Sequence, residues 1–133
     1  MARASRRAVG RMEKLNTQGL EVVPAGSQTI NTFQFDGGEV EAQVKRIMLS
    51  FGAPEAKLLT WQLGLFQKTP TSPADFDDET VVISGAFAVD FQHNETITMR
   101  VPKDWTIGLL IANLGSANAD ITFNLQCNYK VLN

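Results

Sequence analysis

A chain of 133 residues with 44% apolar side chains and a formal charge of −2 is large enough for one domain with a real core and too small for two. It has no run of about 18 apolar residues to cross a membrane, and a single cysteine excludes an intramolecular disulfide. The small net charge hides a sorting by position. Residues 1–14 hold Arg3, Arg6, Arg7, Arg11 and Lys14 against Glu13, a net +4, while the remaining residues hold seven basic groups against thirteen acidic ones, a net −6.

Residues 1–17 carry no aromatic side chain and few large apolar ones, so the composition predicts a disordered basic arm followed by one folded domain over 18–133. Positive charge at the N-terminus is not followed by an apolar stretch, and no secretory signal is expected. Leu20 to Val23 reads as a short first strand ending at Pro24, and Thr29 to Phe35 as a second ending at Asp36-Gly37-Gly38.

From Val40 the apolar residues fall at Val40, Ala42 and Val44 and then at Ile47, Leu49 and Phe51. That slip of phase at Lys45-Arg46 predicts a β-bulge, because an uncorrected one-residue shift would turn the strand inside out. Helix formers between Glu39 and Met48 leave a helix as the alternative. Leu59 to Gln67 alternates as a strand with Trp61 facing in, and residues 69–79 read as a loop. Val81 to Gln92 alternates again, His93-Asn94 is expected to turn the chain, and Thr96 to Val101 follows as a strand.

Trp105 to Asn113 and Ile121 to Val131 close the chain. In the latter every odd residue from Ile121 to Val131 is apolar or amphipathic and every even one is polar, a period of two that a helix cannot use. The short Gly115-Ser116-Ala117-Asn118 connection predicts that these two segments form an antiparallel hairpin. About eight alternating strands with short connections define an all-β chain, a two-sheet antiparallel sandwich or a barrel.

Catalytic material is sparse. His93 sits at an expected turn, Cys127 lies on the inward phase of its strand, and no phosphate-binding glycine loop opens a helix, so no enzyme activity and no cofactor is expected. Asp75, Asp77, Asp78 and Glu79 offer carboxylates to a calcium ion but lack the spacing of a known calcium loop, and a solvated acidic loop is the simpler reading. Trp61 reads as core, whereas Trp105 serves either as core or as a stacking platform. Val82, Ala86 and Ala88, with Leu110 and Ala112, make their strands apolar on both faces, and these residues are candidates for a subunit interface unless the chain itself covers them.

The basic residues Arg3, Arg6, Arg7, Arg11 and Lys14 fit nucleic-acid phosphates, which flexible cations neutralise without reading sequence. A solvated tail or a mitochondrial presequence is the alternative. A basic arm opening on Ala2-Arg3-Ala4-Ser5-Arg6-Arg7, then some eight strands and a long alternating final strand, resembles the small jelly-roll capsid proteins of icosahedral viruses. That resemblance implies a jelly-roll domain that tiles a shell with copies of itself, an arm that contacts the packaged genome, and a place in the virion after assembly inside the host cell. The competing reading is a ligand-binding sandwich, lectin-like or receptor-binding, that works without assembly. Neither reading involves a membrane.

Overall fold

The computed structural model of the chain describes residues 9–52, 58–87, 91–96 and 98–132, with backbone alone for 87 and 91–95. Among the described residues nine strands run in chain order: β1 (Met12–Val23), β2 (Gln28–Phe33), β3 (Ala42–Gly52), β4 (Leu59–Phe66), β5 (Val81–Phe87), β6 (Phe91–Glu95), β7 (Met99–Val101), β8 (Thr106–Asn113) and β9 (Ala119–Val131). They form two antiparallel sheets. Sheet A has the order β1-β9-β3-β6 with β7 also on β3, and sheet B the order β2-β8-β4-β5.

β6 pairs with the stretch of β3 from Ile47 to Phe51, and β7 with Ala42 to Val44, so the two act as one interrupted strand along the same edge. Counted that way, the first, eighth, third and sixth strands face the second, seventh, fourth and fifth. This is the strand order of a jelly roll, two Greek keys closed into a sandwich.

The last strand is central to sheet A, and its period of two sets the layers. Ile121, Phe123, Leu125, Cys127, Tyr129 and Val131 are all buried, facing Leu59, Trp61, Leu63, Ile107, Leu109 and Ile111 from sheet B in one core. The bulge expected in β3 is present: the register against β9 shifts between Val44 and Arg46, leaving Lys45 as the extra residue. That single insertion keeps Val44 and Ile47 both in the core although three positions separate them.

Sheet B also buries part of its outer face, over β8 and its neighbours. Every residue of β8 is buried, Leu110 and Ala112 included. Phe66, Phe76 and Leu110 form a second cluster, with Ile30 and Val81 packed against it. Gly64 and Gly108 are directly opposite each other, and a Cβ on either would come within 2.8 Å of the Phe66 ring. The absent side chains are what let this ring lie flat on the sheet. The same cover draws in the 67–80 segment, because a Cβ on Gly108 would also meet Phe76 and Pro70 at 3.0 Å.

Three expectations from the sequence are corrected. Residues 12–17 are not part of an arm; they are the first half of β1, paired rung for rung with β9 from Met12–Lys130 onward. Their few apolar groups matter little, because the long β9 offers an open edge whose backbone groups need partners. Second, Val81 to Gln92 is not one strand and His93-Asn94 is not a turn: β5 belongs to sheet B, β6 to sheet A, and His93 stands opposite Leu49.

Third, β8 and β9 are not a hairpin but lie in different sheets. Asn113 makes the difference. Its side-chain amide donates to the Val23 carbonyl at 3.0 Å and the Ala117 carbonyl at 2.8 Å, and its oxygen accepts from the Gly115 N–H at 2.9 Å. These bonds shape the connection as an arch from one sheet to the other, and Asn118 anchors it by accepting from the Ala25 N–H at 3.1 Å.

Candidate nucleic-acid interface

Of the five basic residues singled out in the sequence, Arg3, Arg6 and Arg7 lie outside the described residues. Arg11 is exposed just before β1, its carbonyl accepting from the Val131 N–H at 3.2 Å. Lys14 is exposed on β1, on the phase that points away from the core. Of the basic run, Lys14 therefore stands on the outer face of sheet A.

Sheet register then gathers cations that are far apart in sequence. Lys14 is opposite Asn128 of β9, and Asn128 is opposite Arg46 of β3, so the three side chains form one row across the sheet. One rung on, Met12, Lys130 and Gln43 form the neighbouring row. Strands about 4.8 Å apart put Lys14 and Arg46 roughly 10 Å apart at their Cα atoms, with Lys130 between the two flanking strands. Lys130 also lies along the chain entering β1, since a Cβ on Gly10 would be 3.6 Å from its Cε.

Arg46 and Lys130 were not among the candidates read from the sequence. The signal was there, because the bulge brings Arg46 to the outer phase and the period of β9 places Lys130 on it. What the sequence lacks is the register that puts them beside Lys14. Arg100, opposite Gln43, has a different role: its guanidinium is ion-paired with the nearly buried Glu41, and that hydrogen bond and charge raise its pKa above the ordinary arginine value.

Beside the basic rows the same face is rich in amides. Met48, Leu49, Ser50, Asn124 and Gln126 line a shallow depression, and the Asn124 and Asn128 side-chain oxygens are buried with no hydrogen-bond partner among the described residues. Cations flanked by amides suit a sugar-phosphate backbone, the cations meeting phosphate and the amides meeting sugar or base edges.

The other candidates are placed as follows. Leu110 and Ala112 are each only 6% exposed and are covered by the chain itself, which removes them from any subunit interface. Val82 and Ala86 remain exposed on β5, and Ala88 lies outside the described residues. Two carboxylates of the acidic loop are used within it. Asp75 accepts from the Thr71 and Ser72 N–H groups at 3.0 and 3.1 Å, and Asp77 accepts from the Glu79 and Thr80 N–H groups at 2.9 and 3.1 Å. Among the described residues no three His, Cys, Asp or Glu side chains come together as a metal site.

Cys127 is fully buried and its thiol is pushed up to about 12 by that burial, the opposite of a nucleophile's environment. Trp61 is core, with its ring centroid 6.1 Å from that of Phe51, and Trp105 packs half-buried against the same core. Among the described residues no helix is long and apolar enough to cross a membrane.

The strand order defines a small jelly-roll protein. The sequence matches no protein-family model, and no curated protein matches it. Solved structures do match in fold. The decameric BFDV capsid protein superposes with a TM-score of 0.53 at 9% identity, covering 92% of this chain and 99% of that one. The mitogen derived from Yersinia pseudotuberculosis, YPM, also superposes with a TM-score of 0.53, at 7% identity over 90% of this chain and 87% of that one. Likeness at such identity is likeness of fold, and the fold shared with both is a jelly roll.

Proposed function

We propose that this chain is a viral structural protein, a coat or virion subunit that associates with copies of itself through the jelly roll and holds packaged nucleic acid with its basic N-terminal residues. Its role is structural and not catalytic, and its place is the virion after assembly in the host cell. The observation that carries this reading is the continuity between the basic start of the sequence and the row Lys14, Arg46 and Lys130 on one sheet face. A solvated tail would have no reason to end on further cations. Full coverage of the BFDV capsid protein, with 99% of that chain matched, supports the reading by size as well as by fold.

Electron microscopy and sedimentation of the purified protein, with the ratio of absorbance at 260 and 280 nm, test it. The expected result is particles far heavier than the 14.6 kDa chain that carry nucleic acid. The shared fold with YPM keeps a ligand-binding sandwich as the second reading, and a monomer free of nucleic acid with affinity for a saccharide or receptor would establish that one instead.

A further inference from the structure

β1 is twelve residues long and sits at the edge of sheet A; among the described residues no strand pairs with its other side. Arg11 turns its carbonyl toward β9. In an antiparallel ladder the alternate residues then turn theirs the other way, so Met12, Lys14, Asn16, Gln18, Leu20 and Val22 offer their backbone groups to the open edge. The same residues are the exposed ones, with Met12 at 52%, Leu20 at 70% and Val22 at 55% exposure. A long unblunted edge flanked by bare apolar side chains is a template for another strand.

The sequence of β1 selects the occupant. We propose that a second copy of this chain pairs antiparallel with β1 about a two-fold axis at Asn16, joining the two A sheets into one. In a symmetric antiparallel pair facing residues have the same phase whichever residue lies on the axis, and the three registers nearest the middle of residues 11–23 centre on Asn16, Thr17 and Gln18.

Centring on Thr17 sets Glu13 against Glu21, a like-charge clash, and centring on Gln18 makes no charge pair and leaves Lys14 against Val22. Centring on Asn16 sets Arg11 against Glu21 twice, Met12 against Leu20 twice, and Lys14 against Gln18. Opposite charges and apolar pairs directly across a ladder are each favourable, and only this register has both. It also brings the basic rows of two subunits onto one continuous face. The pairing deepens the self-association proposed above and rests on it, but concerns one interface of it.

Association of the full chain is measured by sedimentation for the wild type, Arg11→Glu, Glu21→Arg and the double variant. Each single variant is expected to weaken association roughly tenfold by placing like charges opposite twice, and the double variant to restore it. Thermal melting confirms that each remains folded. The register is read separately by oxidation of Asn16→Cys and Gln18→Cys. Two residues at position 16 face each other with Cα atoms about 5.5 Å apart, within disulfide reach, whereas two at position 18 are about 14 Å apart.

Crosslinked dimer from Asn16→Cys alone supports the pairing, with the buried Cys127 contributing none. Wild-type association that both single variants retain in full overturns the β1 pairing and leaves self-association standing. A wild type that stays monomeric at every concentration overturns both.

Discussion

Leu125 and Gln126 are neighbours in sequence with opposite surroundings, Leu125 with no exposed surface in the core and Gln126 on the outer face of sheet A. Leu125→Ala is therefore expected to destabilise the protein by about 2–5 kcal/mol, the range for a buried large-to-small change. Gln126→Ala should lose about 0.5 kcal/mol or less, and urea melts of the two check the contrast. Equal losses would mean that β9 does not face as described.

Cys127 adds a dependence on pH. Its thiol is raised from an ordinary value of 9.0 to about 12, so the folded state keeps a proton that the unfolded chain gives up first. The stabilisation is complete below pH 9 and is lost as pH rises from 9 toward 12, at up to about 1.4 kcal/mol per pH unit. Cys127→Ala or Cys127→Ser should flatten that alkaline slope in denaturant titrations.

At the scale of elements, the arch after β8 matters as much as the strands it joins. Asn113→Ala removes two donated bonds, leaves the Val23 carbonyl without that donor, and should destabilise by about 1–3 kcal/mol in a thermal or urea melt, whereas Asn118→Ala on the exposed side should lose less. This connection also marks where sequence reasoning stopped. Alternation in β8 and β9 states which residues face the core, and it reads the same whether two strands pair side by side or stack across a sandwich. The choice is made by Asn113, whose side-chain partners at Val23 are 90 positions away.

The bulge in β3 was legible because an inserted residue leaves its mark locally, as two apolar runs out of phase at Lys45-Arg46. The first half of β1 was not legible for the opposite reason. Glu13, Asn16, Thr17 and Gln18 look like a tail until the open edge of β9 is in view, and nothing in the sequence shows that Phe123 lies over Gly19, its ring 2.8 Å from where a Cβ would stand. The basic site was half legible. Lys14 was found as part of a charge run, while Arg46 and Lys130 needed the register.

For the molecule as a whole, the division of charge is the main lever. Positive groups gather at the start of the chain and on one face of sheet A, and the remainder of the protein is acidic enough to bring the total to −2. On the proposed reading a surface so divided would attract phosphate at one face without attracting it everywhere, and binding through it would be strongly salt-dependent because each contact releases counterions.

The most direct measurement is the salt dependence of nucleic-acid affinity for the full chain and for the variant Lys14→Ala, Arg46→Ala, Lys130→Ala. With Arg3, Arg6, Arg7 and Arg11 engaged as well, seven phosphate contacts give a slope of log affinity against log salt of about −6 on duplex DNA. The triple variant should shrink that slope by about 3 units, weaken binding equally for all sequences and melt as the wild type does. A slope near zero for the wild type, or one that the triple variant leaves unchanged, would contradict the claim that this face holds nucleic acid.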